Sequence, residues 1–343
     1  MPDETPPSAP RQSAGHSPLR PPRSIRRTSS LETNWPDGQA GNLRVIGRAR
    51  DAVTQASGDD PIVCAMDTFE ADLQWDRTIM AITSQPARAN IGRLVGARGG
   101  GHLRSALDEL LPDERCAATP LHLILDDISG ASLVAGWAWS RWNSDWQRGI
   151  EAAATADSSA PMRRPMEGVC MGFRPGSSAL SMDGSIRSNM NPAKVVDLRH
   201  PADPEGWHPF SPQEGAAMRR ARRIDVWLDG VIHVDSTFQD SATDPSGGRV
   251  AIHEYGLTAT ADPVTLELLS LTPDPRVLPF PECPSAAANA QRMVGTRLTD
   301  LREKVLVELK GTAGCTHLND VLRSLAEVGA LAERLKATLA EVA

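Results

Sequence analysis

The chain has 343 residues, of which 40% are hydrophobic and 23% charged, and its formal net charge is -7. These totals are typical of globular protein, and the length allows two domains of ordinary size. The acidic balance lacks the clustered Lys and Arg with which proteins bind nucleic acids or anionic membrane surfaces. The sequence has no apolar run of about 20 residues and no apolar secretion signal, so we expect a cytoplasmic protein with reduced cysteines.

Composition divides the chain into four parts. Residues 1–24 are rich in Pro, Ser and Arg and poor in large apolar side chains, which predicts a disordered tail. Residues 151–217 are rich in Pro and Gly and are interpreted as a connection. The segments on either side of it, 25–150 and 218–343, are predicted to be two diverged repeats of one α+β unit.

The prediction of repeats depends on short words that recur in the same order at a nearly constant offset. The matched words are Arg26-Arg27 with Arg219-Arg220, Asp37-Gly38 with Asp229-Gly230, Asp51 with Asp240, Gln85-Pro-Ala-Arg88 with Pro273-Asp-Pro-Arg276, Arg93-Leu-Val-Gly-Ala-Arg98 with Arg292-Met-Val-Gly-Thr-Arg297, and Leu121-His-Leu123 with Thr316-His-Leu318. Collinear matches indicate duplication. The alternative is two unrelated α+β domains that share common turn sequences.

The second segment gives the clearer secondary structure. Asp229-Gly230 is a strong hairpin signal because both residues tolerate positive φ, and β-branched residues flank it. The predicted elements are strands over 224–228, 231–238, 250–260 and 264–272, a helix over 286–307 broken near Gly295, and a long helix from Thr316 with an apolar stripe from Leu318 to Leu339. Each repeat is therefore predicted to be an antiparallel β-meander covered by helices.

The densest group of reactive side chains lies at the start of that last helix, in Gly311-Thr-Ala-Gly-Cys-Thr-His-Leu318. A helix start offers free N–H groups and the positive end of the helix dipole, which lower the pKa of a thiol. Cys315 is therefore a candidate nucleophile or metal ligand, with His317 beside it. The alternative is a small buried cysteine and a capping histidine.

Three further residues of the second segment have side chains that bind metals. Asp240 continues the apolar face of a predicted strand and so needs a partner, His253 lies within a strand, and Cys283 precedes a helix. With Cys315 they form a candidate Zn or Fe ligand set, although their spacing matches no compact motif.

The first segment offers an internal comparison. It keeps Asp51 and His122, but Ala65 stands at or beside the position of His253, and no cysteine corresponds to Cys283. The candidate site is therefore placed in the second segment. The acidic pair Asp126-Asp127 is interpreted as a solvated turn.

The words Gly314-Cys-Thr-His-Leu318 and Ile252-His-Glu254, with others spread along most of the chain, resemble a bacterial family known only as a domain of unknown function. The resemblance implies no activity. It implies that the family's aspartate, histidine and C-terminal Cys-x-His correspond to Asp240, His253, Cys315 and His317. The sequence departs from the family pattern at Glu254, where Asp is commoner. A weaker similarity is to iron-sulfur scaffold proteins, which have a comparable order of strands and ligands.

The leading hypothesis is a metal-assisted hydrolase or lyase that acts on a small, mostly apolar carbonyl or acyl substrate. Its Zn or Fe ion is held by Asp240, His253, Cys283 and Cys315, while His317 moves the proton. A cofactor-free variant has Cys315 as nucleophile and His317 or His253 as base. The alternatives are a noncatalytic metal or iron-sulfur binding protein and an interaction scaffold. The oligomeric state, a homo-oligomer included, is left open.

Overall fold

A computed structural model describes residues 12–58, 60–143, 166–180 and 191–342. The strands in these ranges are β1 (Ser24–Asn34), β2 (Leu43–Thr54), β3 (Ile62–Leu73), β4 (Ile79–Gln85), β5 (Ala193–Val195), β6 (Ala217–Asp229), β7 (Val231–Thr243), β8 (Arg249–Ala261) and β9 (Leu268–Pro275). The helices are α1 (Gly101–Leu110), α2 (Pro112–Cys116), α3 (Pro120–Val134), α4 (Trp137–Trp142), α5 (Ala286–Asn289), α6 (Leu301–Glu308), α7 (Thr316–Ser324) and α8 (Val328–Glu341). The predicted α+β class is confirmed.

All the described strands belong to one sheet with the order β4-β3-β2-β1-β6-β7-β8, and the far edge of β8 carries β5 at one end and β9 at the other. The long strands pair antiparallel in the order of the chain, so each half is a meander. The halves join where β1 pairs with β6 along its whole length, with Arg26 opposite Asp225. The two meanders therefore share one continuous sheet.

The two meanders have irregularities at corresponding places. A β-bulge follows Asp51 in the pairing of β2 with β3, and another follows Asp240 in the pairing of β7 with β8. The turns after β3 and β8 each contain a non-glycine residue at positive φ, Arg77 at 72° and Leu266 at 58°. These bulges and turns are local correspondences between the two meanders.

Helices cover one face of the sheet. The predicted stripe of the last helix is buried, with Leu318, Leu325 and Leu335 at most 1% exposed. The predicted single helix is α7 and α8 joined by a 3₁₀ turn at Leu325–Glu327. Burial of this stripe fixes α7 against the second-half strands. None of the helices in the described ranges is long and apolar enough to cross a membrane.

The opposite face is covered by irregular chain from two parts of the sequence. Residues 12–23, expected to belong to a disordered tail, instead make specific contacts. Ser13 Oγ donates to Glu254 Oε2 at 2.7 Å, and the Ser17 N–H donates to the Leu198 carbonyl at 2.9 Å. The indole of Trp207 donates to Ser17 Oγ at 2.9 Å. The composition of this segment was misleading because its polar groups pair with Glu254 of the sheet and with Leu198 and Trp207 of the connection rather than with water.

His208 lies on the same face, buried between Thr28 and Ser30, with its ring nitrogens 2.9 and 2.8 Å from the two hydroxyl oxygens. Burial, and next the positive charge of Arg50, lower the pKa of His208 to about 3. As the pH falls, the imidazole of His208 is protonated near pH 6.5 in the unfolded chain, whereas in the folded chain it stays neutral down to about pH 3. The stability due to neutral His208 is complete above pH 6.5 and is lost as the pH falls through this window.

We expect His208→Gln to reduce the slope of unfolding free energy against pH between about pH 6 and 4 by up to about 1.4 kcal/mol per pH unit. Urea unfolding at several pH values measures the slope. The control is His16→Gln, which replaces an exposed histidine. An unchanged slope in the His208 variant would contradict the burial of a neutral imidazole.

Candidate metal centre

The strands bring Asp240 and His253 side by side. Asp240 on β7 is directly opposite His253 on β8, and the bulge beside this pair, at Ile252, shifts the register by one residue. Bulges re-aim side chains and are frequent beside functional sites. Asp240 is fully buried and His253 is 8% exposed, so both polar groups lie out of water.

The third member, His317, comes from the first turn of α7, for which Cys315 is the N-cap residue. His317 Nε2 lies 3.4 Å from Asp240 Oδ2, and His253 Nδ1 lies 3.7 Å from the same oxygen. The two imidazole rings stack with centroids 3.3 Å apart and planes 17° from parallel. The ring of Phe238, two residues before Asp240, lies 6.1 Å from that of His317.

These three side chains each offer one ligand atom, and the atoms all lie within 4.8 Å of one another. Within the described ranges of the chain, this is the group of His, Cys, Asp and Glu side chains that satisfies that geometry. His253 Nδ1 is buried and has no hydrogen-bond partner among the described residues. Two histidines and one carboxylate are a ligand set for Zn²⁺ and for non-haem Fe²⁺.

Electrostatics favour metal ligation by the two histidines. Burial, and next the neighbouring His317, lower the pKa of His253 well below its usual value. Burial, and next Arg220, do the same to His317. Both imidazoles are therefore neutral at physiological pH and keep a lone pair for a cation.

Arg220 on β6 holds the carboxylate in place. Its Nε and Nη2 donate to Asp240 Oδ1 and Oδ2, both at 2.9 Å. Its Nη1 donates to Asp320 on α7 at 2.9 Å and lies 3.6 Å from Asp127 on α3. A guanidinium that fixes a ligating carboxylate is the kind of outer partner that tunes metal sites.

These supporting residues were not predicted from the sequence, and the interpretation of Asp126-Asp127 as a solvated turn is wrong. Both lie inside α3 and are at most 8% exposed. Asp127 accepts from Arg222 at 2.8 Å, and Asp126 accepts from Arg323 at 2.7 Å. The available signal was the run of arginines at 219, 220, 222 and 223, directly before the predicted strand 224–228, since a charge on a buried strand needs a partner.

The predicted cysteine ligands lie elsewhere. Cys283 and Cys315 are buried but do not belong to the Asp240, His253 and His317 group. They pack with Tyr255 in the apolar core, and Cys170 of the connection is close by: a methyl group on Gly172 would lie 2.7 Å from Cys283 Sγ and 3.9 Å from Cys170 Sγ. Cys315 is thus at the helix start as predicted, but its sulfur belongs to the core.

The expected reactivity of Cys315 is not supported. Burial raises the pKa of Cys315 more than its contact with Tyr255 and the N–H groups of α7 lower it. Burial, and next Cys315, also raise the pKa of Cys283. The helix start was expected to lower the Cys315 pKa, but loss of water outweighs that effect. Both thiols are protonated at neutral pH.

The first half has a related but different arrangement. Asp51 on β2 is held by Arg27 on β1, at 2.6 Å from Nε to Oδ1. The residue opposite Asp51 on β3 is Ala65, as the sequence comparison predicted. His122, in the first turn of α3, lies with its Nδ1 4.0 Å from Glu327. The two-histidine group is therefore a property of the second half.

Comparison with known proteins points to the second half. Residues 218–330 match a family described as protein of unknown function (DUF2889). The matched region begins in β6 and ends in α8, and it contains Arg220, Asp240, His253 and His317. No curated protein and no solved structure matches the chain.

Proposed function

We propose that the protein is a metal-dependent enzyme of the hydrolase or lyase type, whose Zn²⁺ or Fe²⁺ ion is bound by Asp240, His253 and His317. The observation that carries the proposal is the buried, unpartnered Nδ1 of His253, within 4.8 Å of a second imidazole nitrogen and a carboxylate oxygen. Leaving such a nitrogen unpaired is costly unless it has a ligand.

Three protein ligands suit catalysis because they leave coordination positions open, whereas structural zinc sites are closed by four. A metal in such a site polarises a carbonyl oxygen or lowers the pKa of a bound water. His317, expected from the sequence to move a proton, serves in this proposal as a ligand. Cys283 and Cys315 are not ligands in this proposal and form part of the apolar core.

The proposed substrate is a small, mostly apolar carbonyl or acyl compound. Phe238 and Tyr255, directly opposite each other on β7 and β8, lie one pleat from Asp240 and His253 on the same face of the sheet. Both rings are fully buried. The Tyr255 hydroxyl contacts Cys315, so in this proposal Tyr255 contributes apolar ring surface and not a hydrogen bond to the substrate.

We also propose that the two halves are diverged copies of one unit. Support comes from the corresponding bulges after Asp51 and Asp240 and from Arg77 and Leu266 at positive φ in equivalent turns. An antiparallel meander can form without a bulge in these strands and without a non-glycine residue at positive φ in these turns. In this proposal the first copy has lost the ligand at Ala65 and retains a structural role.

Metal analysis tests the proposed centre. The full chain, purified without chelator, is expected to contain about one Zn or Fe ion per molecule by mass spectrometry. His253→Gln and His317→Gln are each expected to lose most of it. The matched control is His122→Gln, which replaces another buried histidine in the first turn of a helix and should retain the metal. Absence of metal from the unaltered protein, or its retention in both ligand variants, would overturn the assignment.

A noncatalytic metal centre is the second candidate, favoured by burial, since none of the three ligands is more than 8% exposed. Activity separates the two functions. An enzyme should hydrolyse or cleave some members of a panel of small apolar esters, lactones and amides, and His253→Gln should abolish the reaction. Stoichiometric metal with no turnover across the panel favours the binding protein.

A further inference from the structure

The two buried aspartates Asp51 and Asp240 are held by the same atoms of equivalent arginines. Arg27 donates Nε to Asp51 Oδ1 at 2.6 Å and Nη2 to Asp51 Oδ2 at 2.7 Å. Arg220 makes the same two bonds to Asp240, both at 2.9 Å. Each aspartate is fully buried and is followed by a bulge.

The remaining guanidinium nitrogen also has an equivalent partner. Arg27 Nη1 donates to Glu327 at 2.8 Å, and Arg220 Nη1 donates to Asp320 at 2.9 Å. Both acceptors are carboxylates of the C-terminal helical region. The anchors of the two aspartates therefore agree in donor atoms, acceptor atoms and charge.

The two sites differ in the second contact of the Oδ2 oxygen and in one further contact of each arginine. Arg27 Nη2 also donates to the Ala118 carbonyl at 2.9 Å, and Arg220 Nη1 also lies 3.6 Å from Asp127. At Asp240 the Oδ2 oxygen faces the imidazoles of His253 and His317. At Asp51 it accepts from Nη1 of Arg334, which reaches in from α8. The small side chain of Ala65, opposite Asp51, stands where the second half has His253.

We propose that the first half contains a second cation site of the same construction, on Asp51 Oδ2, which the guanidinium of Arg334 fills from within the chain. In the second half the equivalent position, on Asp240 Oδ2, is open to a metal ion from solution. The part that concerns Asp240 rests on the proposed metal centre, whereas the part that concerns Asp51 does not.

Charge explains why such a site needs an occupant. Each arginine is shared between its aspartate and at least one further carboxylate, so neither aspartate has a guanidinium to itself. Arg27 also binds Glu327, which is paired with Arg302 as well, and Arg220 also faces Asp320 and Asp127. Arg334 supplies a second positive charge at Asp51 and is 24% exposed, so its carbon chain spans from the surface to the buried carboxylate. Removing one partner from a buried ion pair is strongly destabilising. Arg334 also ties α8 to β2, and so joins the C-terminal helix to the first half.

The test compares Arg334→Lys with Arg334→Met in the full chain. Lysine keeps a positive charge and methionine keeps an unbranched apolar chain, so the pair separates charge from packing. We expect the methionine variant to melt roughly 5 °C lower than the unaltered protein and the lysine variant to recover most of that loss. Lys336→Met, which removes an exposed ion pair with Glu333 on the same helix, is the control and should change little.

Equal losses in the two Arg334 variants would overturn the proposal, because a cation site accepts either charge. A methionine variant as stable as the unaltered protein would overturn it as well. If the lysine variant folds and the methionine variant does not, the proposal is supported. If neither variant folds, the proposal fails, because lysine preserves the positive charge. The differences in melting temperature between these variants test the charge at Asp51, whereas failure of the metal assignment would be seen separately as missing metal in the unaltered protein.

Discussion

Replacing Gly130 by alanine is expected to destabilise the protein by about 3 kcal/mol and to abolish binding of the metal proposed for the second half. Gly130 lies within α3, and a methyl group there would collide with the guanidinium of Arg220 and lie 2.7 Å from Asp320 Oδ2. Arg220 is fully buried and cannot move without breaking its pair with Asp240. The glycine is therefore needed for close approach rather than for an unusual φ.

Urea unfolding and metal analysis of the same samples measure both effects. Gly101→Ala, at the start of α1, is the matched control because a methyl group there meets no atom within 4 Å. Its stability should change by less than about 1 kcal/mol. A Gly130 variant with the stability and metal content of the unaltered protein would show that Arg220 does not pack against α3.

Removing the charge of Asp126 is expected to cost about 3–5 kcal/mol of unfolding free energy. This carboxylate accepts from Arg323 and Arg302 at 2.7 Å and from Arg104 at 3.0 Å. Burial alone would raise the pKa of Asp126, but the guanidinium groups of Arg323 and Arg302 hold it well below its usual range. Asp126→Asn leaves three neighbouring positive charges without their common partner.

The comparison is with Asp108→Asn. Asp108 pairs with Arg115 at 2.7 Å, but its side chain is 50% exposed, so its loss should cost less than about 1 kcal/mol. Urea midpoints at neutral pH give both values. Similar losses from Asp126 and Asp108 would contradict the role assigned to the buried network between α3 and α7.

Local patterns predicted much of the fold. The Asp229-Gly230 turn, the alternating strands after it and the apolar stripe from Leu318 correspond to β6–β9, α7 and α8. These features have a period or a turn residue with a direct conformational cause. The single sheet had no such signal, because pairing of β1 with β6 depends on side chains about 200 positions apart.

The candidate site was predicted in part. Asp240, His253 and His317 were all singled out, but Cys315 was predicted to be a metal ligand and His317 the group that moves the proton. Residues two apart at a helix start point about 200° apart, and only packing of α7 decides which one faces the sheet. The arginine partners were missed because a repeated Arg-Arg word was used as a marker of duplication and not as a buried charge needing a carboxylate.

The pairing of β1 with β6 has a consequence for how the chain folds. The ion pair between Arg26 and Asp225 joins residues 199 positions apart in sequence, so formation of the centre of the sheet requires closure of a very long loop. Contacts between residues so far apart in sequence slow folding. Until β1 pairs with β6, each of these strands has an unpaired edge that can pair with another chain. Refolding should therefore be slow and sensitive to protein concentration, with dilution favouring pairing of β1 with β6 of the same chain over pairing between chains.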